Sequence, residues 1–173
     1  GEYAMHLALN YQGRPYIGIV LIPSKNELWI AVGGEVWCEK RKNNSFEKYL
    51  LDSNKSLDEM ILVTSKNHRN DNLKSLIEKI CFKKVINMGS IGCKLASIIR
   101  GESDIYISLS LPGNSAPKDW DFAAPEAILK AAGGAITNIN NQDLFYGKPN
   151  FEQGGIIVAS NYSLGHENIC SQL

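Results

Sequence analysis

The stretch Lys118–Ile139, KDWDFAAPEAILKAAGGAITNI, decides how the whole chain is read. Its alanine-rich apolar run predicts a helix from about Ala123 to Ala132, with Pro125 in the first turn and Gly133-Gly134 as the stop. A strand with a turn at Asn140-Asn141 follows. Asp121 then stands just before the helix, and two readings compete for it. A carboxylate there caps free backbone N–H groups and complements the helix dipole. It is also a candidate ligand for a hard cation such as magnesium, which takes one or two carboxylates and leaves other positions to water and phosphate.

Upstream the pattern alternates strand and helix. Met60–Thr64 predicts a short strand. Leu73, Leu76, Ile77 and Ile80 share one helical face, with Asn70 or Asp71 as the N-cap. Lys84–Asn87 predicts a second strand, leading through Gly89-Ser90-Ile91-Gly92 into a helix that Gly101 ends. Ile105, Ile107, Leu109 and Leu111 alternate as in a half-buried strand, and Ile156–Ala159 reads as a core strand.

The first forty residues read differently. Tyr16–Ile22 is one apolar run closed by Pro23, Glu27–Val32 follows a short turn, and Gly33-Gly34 links it to Glu35–Cys38. That is an antiparallel meander. Residues 39–58 are polar and charge-rich without a period, which predicts a linker. The fold class is therefore α/β, in layered α+β form: the end of an antiparallel sheet followed by an α/β layer. Residues 1–58 form the sheet region plus linker, and residues 59–173 the C-terminal α/β region. Tyr3–Leu9 reads as a buried strand at the very start of the chain, which predicts that a segment precedes it.

Eighteen basic and eighteen acidic side chains cancel, which argues against nucleic acid or an anionic membrane as partner. A small anion needs only two or three donors and stays open, as does a homo-oligomeric state. The apolar run Ile17–Ile22 is too short to span a bilayer. Cys38, Cys81, Cys93 and Cys170 lie far apart, with no CxxC pair, and read as reduced, packed thiols. These features predict the cytoplasm or an equally reducing compartment.

Three segments carry candidate chemistry. Asp121 is the first. The second is GSIGCKLASIIRGESDIYIS (89–108), where Gly89 and Gly92 flank Ser90 at a strand-to-helix turn and Lys94 falls in the first helical turn. Free N–H groups there plus one ammonium make a small anion site, although such turns are also common without a ligand. The third is Thr64–Asn70 past a strand end, with Ser65 and His68 set where α/β sheets bind ligands. His6, inside an apolar strand, reads as a satisfied core histidine, and His166 carries no role.

In this order the segments resemble the second half of the inositol monophosphatase superfamily. WDFAAPEAILKAAGG (120–134) is similar to its C-terminal Trp-Asp signature, and residues 1–34 to the strands that follow its Asp-Pro-x-Asp-Gly-Thr motif. Ala-Pro-Glu at 124–126, and Ser65, His68 and Lys94, resemble the 3'(2'),5'-bisphosphate nucleotidases (CysQ-like) of sulfur metabolism. The resemblance implies an alternating helix and sheet sandwich and a magnesium-dependent phosphatase. It implies a small phosphorylated substrate, either a nucleotide or an inositol or sugar phosphate. Asp121 would be a metal ligand, with Ser65, His68, Ser90, Lys94 and Asp121 lining the substrate site. The Asp-Pro-x-Asp-Gly-Thr motif occurs nowhere in the 173 residues, so no catalytic residue beyond the one metal ligand is expected, and the chain alone is expected to be inactive.

Overall fold

Arg14–Ile22 (β2) explains its own continuous apolar run: it is an inner strand of a sheet that is apolar on both sides. The structure is a computed structural model describing residues 2–40, 45–49, 51, 54–66, 71–110 and 116–173. The first sheet is antiparallel, in the order β1 (Met5–Tyr11), β2, β3 (Glu27–Val32), β4 (Glu35–Lys40) and β5 (Ser45–Lys48). The expected meander is present, and the segment expected as linker contributes β5, paired to β4 from Trp37↔Lys48 to Lys40↔Ser45. Ladder pairing with β4 organises this stretch despite its lack of hydrophobic period.

Period-2 alternation gives this sheet two faces. The inner one places Val20, Trp29, Ala31, Val36 and Cys38 in the main core. On the outer face, Met5, Leu21 and Leu28 stand in one cross-strand row and Leu7, Ile19 and Ile30 in the next. Leu9, Ile17 and Val32 make the third row. Contrary to the sequence reading, β1 is an edge strand whose odd-numbered side chains are exposed. Continuous apolarity looks the same whether a face is covered or not.

The second sheet has the order β7 (Lys84–Met88), β6 (Ile61–Ser65), β8 (Ile105–Ser110), β10 (Gly155–Ser160) and β9 (Ala135–Asn138). β6 runs parallel to β7 and β8, and β10 antiparallel to β8 and β9. Ile105, Tyr106 and Ile107 are all buried, so β8 is covered on both faces and not half-buried. Between the sheets lie α2 (Ile91–Ile99) and α3 (Asp119–Ala131); α1 (Asp71–Ile80) packs through Leu73 into a second core, joined by Ile169 of α4 (His166–Ser171). Gly18 marks the closest approach of β2 to α3, since a Cβ there would meet Ala127 Cβ at 2.5 Å.

The α3 helix begins four residues before the expected start. Pro125 is thus interior, where it offers no N–H to the Asp121 carbonyl four residues back. Cys38, Cys93 and Cys170 are buried free thiols, while Cys81 is exposed and does not share their packing. No described helix is long and apolar enough to cross a membrane.

Candidate functional site

Parallel pairing of β6 with β7 brings two chain reversals to one end of the second sheet. Ser65 closes β6 opposite Met88, and Gly89-Ser90 follows directly into α2. Loops at the carboxyl ends of parallel strands face outward from such sheets and are free to hold ligands. The N-terminal turn of α3 lies against the same region, close enough for Asp121 to act electrostatically on Lys94, Tyr106 and His6.

Lys94 is only 3% exposed, and its Nζ stands 5.5 Å from the centroid of the Tyr106 ring. Among the described residues it forms no hydrogen bond or ion pair. Burial lowers its pKa to about 8, against weaker upward pulls from Cys93, Glu2 and Asp121. An ammonium so stripped of water and partners is a receptor for an anion. Tyr106 links the group: burial pushes its phenol up to about 12, while hydrogen bonds to Ser108 and Ser65 pull the other way. Ser65, Lys94 and Asp121 therefore surround one buried tyrosine, a residue that the sequence reading passed over inside Ile105–Ile107. A lone hydroxyl-bearing aromatic in an isoleucine-rich strand was the available signal.

Asp121 occupies the third position of α3 and is half-buried. Its Oδ2 accepts the Lys118 N–H at 2.8 Å, the capping role in part, and among the described residues its Oδ1 has no partner. The described residues include no group of three His, Cys, Asp or Glu that could hold a metal. One carboxylate oxygen does not fit magnesium, which requires near-octahedral oxygen donors, so these residues alone do not make its site.

Ser90 caps α2 without a side-chain bond to the helix backbone. The amides expected to await an anion are engaged by Glu2: Gly89 N–H donates to Glu2 Oε2 at 2.9 Å, and Ser90 N–H to the Glu2 carbonyl at 3.3 Å. His6 is half-buried, and only partly satisfied. Its Nδ1 lies 3.3 Å from the Trp120 carbonyl, so that nitrogen is the donor, while the buried Nε2 has no partner among the described residues and faces Gly92, where a Cβ would approach to 2.3 Å. Burial lowers the His6 pKa, against the Trp120 bond and the Asp121 charge. His68 lies outside the described residues.

Two other polar clusters are closed. His166 bonds Ser160 Oγ through Nδ1 (2.7 Å) and Thr137 Oγ1 through Nε2 (2.9 Å), both deeply buried. Asp119 accepts from the Gly147 amide and the Gln153 side chain, each at 2.6 Å. A groove of about 450 Å³ beside Leu57, Leu76, Lys79 and Leu173 is lined by none of the candidate residues.

The profile of the Inositol monophosphatase family matches residues 1–173. The 3'(2'),5'-bisphosphate nucleotidase CysQ of Buchnera aphidicola is 30% identical over 146 residues, covering 84% of this chain and 51% of the relative. The 3'(2'),5'-bisphosphate nucleotidase 1 of Dictyostelium discoideum is 26% identical over 175 residues, covering 90% and 53%. An inositol monophosphatase structure from Zymomonas mobilis superposes with a TM-score of 0.76 at 23% identity, covering 99% of this chain and 62% of that one. The chain thus spans about half the length of the curated relatives it matches. With a match along its whole length and a fold shared with solved members, this chain belongs to the inositol monophosphatase family.

Proposed function

We propose that this chain is the C-terminal portion of a phosphate-monoester hydrolase acting on the 3'-phosphate of 3'-phosphoadenosine 5'-phosphate. Water adds to phosphorus, the ester P–O bond breaks, and AMP and phosphate leave. The observation that carries this reading is Lys94, a buried ammonium with no hydrogen bond or ion pair among the described residues, in electrostatic reach of the Asp121 carboxylate. Lys94, Ser65 and Ser90 hold the part of the nucleotide that does not react, with His68 completing that wall. Binding energy from such a remote portion can raise turnover as well as affinity. Magnesium is the cofactor we assign to the longer enzyme, with Asp121 as one ligand; when bound it supplies a Lewis acid and a water of lowered pKa. The relatives named as bisphosphate nucleotidases support the substrate class. An inositol or sugar monophosphatase is the second reading, favoured by the inositol monophosphatase that shares the fold. A non-catalytic nucleotide-binding module is the third.

The test compares kcat/KM for 3'-phosphoadenosine 5'-phosphate and inositol 1-phosphate in an enzyme that contains this chain together with the family's remaining length. The nucleotide is expected to be preferred widely, and Lys94→Ala to shrink that preference by about 1–3 kcal/mol through the nucleotide reaction alone. Asp121→Asn should lower turnover by orders of magnitude with the fold intact. Equal rates in the wild type, or an equal loss for both substrates in Lys94→Ala, would move the assignment to the inositol or sugar reading. The 173-residue chain by itself should release no phosphate and bind no magnesium by calorimetry, because the rest of a metal cage is not among its described residues.

A further inference from the structure

Tyr106 is 1% exposed on β8, the middle strand of its sheet, and it meets three other elements. Its ring carries the Lys94 ammonium of α2, 5.5 Å from the centroid, and stands 6.5 Å from the Phe122 ring of α3, tilted by 45°. Its hydroxyl is hydrogen bonded to Ser65 at the end of β6 and to Ser108 on its own strand. A ring held at its hydroxyl and against a second aromatic turns away from the ammonium only by breaking buried contacts. Lys94 has few other sources of compensation. Cys93, Glu2 and Asp121 are the titratable groups that act on it, and among the described residues none forms an ion pair with it. Burial raises the Cys93 thiol pKa, so that neighbour is uncharged at neutral pH. The Ser97 hydroxyl donates to the Lys94 carbonyl and leaves the ammonium alone. The contact left to the charge is a π face, whose quadrupole attracts a cation most strongly where water is excluded.

We propose that Tyr106 is the positioning residue for Lys94: its ring face keeps the buried ammonium charged and fixed in place, ready for an anion, without neutralising it. A carboxylate in that position would close the site, as Glu126 closes around Arg14. The ring offsets part of the burial cost and leaves the full positive charge to an incoming oxyanion. It also stays neutral while doing so, because burial pushes the Tyr106 phenol up to about 12. Through Phe122, which follows Asp121 directly, the same ring braces the first turn of α3. Lys94, Ser65 and the Asp121 turn are thus set against one another by a single side chain. The inference rests on Lys94 receiving an anion, as proposed above, and not on which phosphate ester brings it.

The test reads the charge itself. The 173-residue chain, isotope-labelled in its lysine side chains, is titrated by NMR, and the Lys94 resonance is assigned by its loss in Lys94→Met. Phenylalanines bearing one, three and five fluorine atoms are then placed at position 106, since fluorine withdraws electrons from the ring face and changes its volume little. Tyr106→Phe should leave the Lys94 midpoint near 8. The fluorinated series should lower it stepwise, by about one pH unit in all, and Tyr106→Leu by a similar amount. A merely structural role predicts no dependence on fluorine count, so a midpoint that stays put along the series would overturn the proposal. A drop in Tyr106→Phe as large as that of the fully fluorinated ring would overturn it too, by assigning the effect to the hydroxyl. In the longer enzyme, at about pH 8, the same series should raise KM for 3'-phosphoadenosine 5'-phosphate more than it lowers kcat. A midpoint that moves while KM does not would keep the Tyr106–Lys94 pairing and remove the nucleotide from Lys94, which separates failure of this inference from failure of the proposed substrate.

Discussion

The two halves of α3 handle charge in opposite ways. Midway along the helix, Glu126 is 1% exposed and fully engaged: Arg14 reaches it at 2.5 Å, the Tyr146 hydroxyl at 2.5 Å, and Lys130 stands 3.5 Å away. Around the N-terminal turn, among the described residues, Asp121 keeps one oxygen open, the Lys94 ammonium is buried without a hydrogen bond, and His6 Nε2 is unpaired. One region closes its network and gains stability. The other leaves desolvated groups uncompensated, which costs stability and is the usual mark of a site awaiting a ligand.

The largest effect should come from breaking the closed half. Glu126→Ala strands Arg14 and the Tyr146 hydroxyl and is expected to cost about 3 kcal/mol, read by urea unfolding. Glu126→Gln retains one acceptor and should cost less; equal losses would mean that volume and not charge holds this region together.

Next comes acid. Burial lowers the His166 pKa to about 4, so below pH 6.5 the unfolded chain binds a proton that the native one refuses. Stability from this group is complete above pH 6.5 and falls as pH drops toward 4, by roughly 3 kcal/mol in all. His166→Gln should flatten that limb of the stability profile. An unchanged limb would assign acid unfolding to other groups.

Lys94 gives the opposite sign from Glu126. Replacing an unpaired buried ammonium by Met should stabilise the chain at pH 7 by about 2 kcal/mol. With the Lys94 pKa at about 8 against 10.5, the wild-type chain should gain stability between those pH values, and Lys94→Met should not. A destabilised Lys94→Met would show that the ammonium has a partner after all. The smallest effect belongs to Asp121→Ala, which loses the Lys118 contact and should cost about 1 kcal/mol of stability.

Much of this contrast was hidden in the sequence, for physical reasons. The meander and the strand–helix alternation were legible because their periodicity is local. The start of α3 was misread because proline usually marks a first turn. Here the helix begins at Asp119, with Asp121 bonding back to the Lys118 amide, and Pro125 sits inside it. Glu126 was noticed only as part of Ala-Pro-Glu. Its chief partner Arg14 is 112 positions away, beyond the reach of any spacing rule. Of the candidate site residues, Ser65, Lys94 and Asp121 gather around Tyr106, and Ser90 stands beside them at the head of α2. The hub itself was missed, because a buried tyrosine in an apolar strand carries no periodic signal.

The bond from the Gly89 amide to the Glu2 carboxylate changes what binding means at that turn. An anion approaching Gly89 does not fill an idle donor; it displaces a tethered rival. A carboxylate on the same polypeptide acts at an effective concentration in the millimolar range. A weakly held, singly charged solute at similar concentration gains little from the exchange. A phosphate group contributes more charge and more acceptor oxygens, so under the proposed function its advantage survives the competition. If the proposed site holds a phosphate, Glu2 sets a threshold at this turn that singly charged anions do not pass.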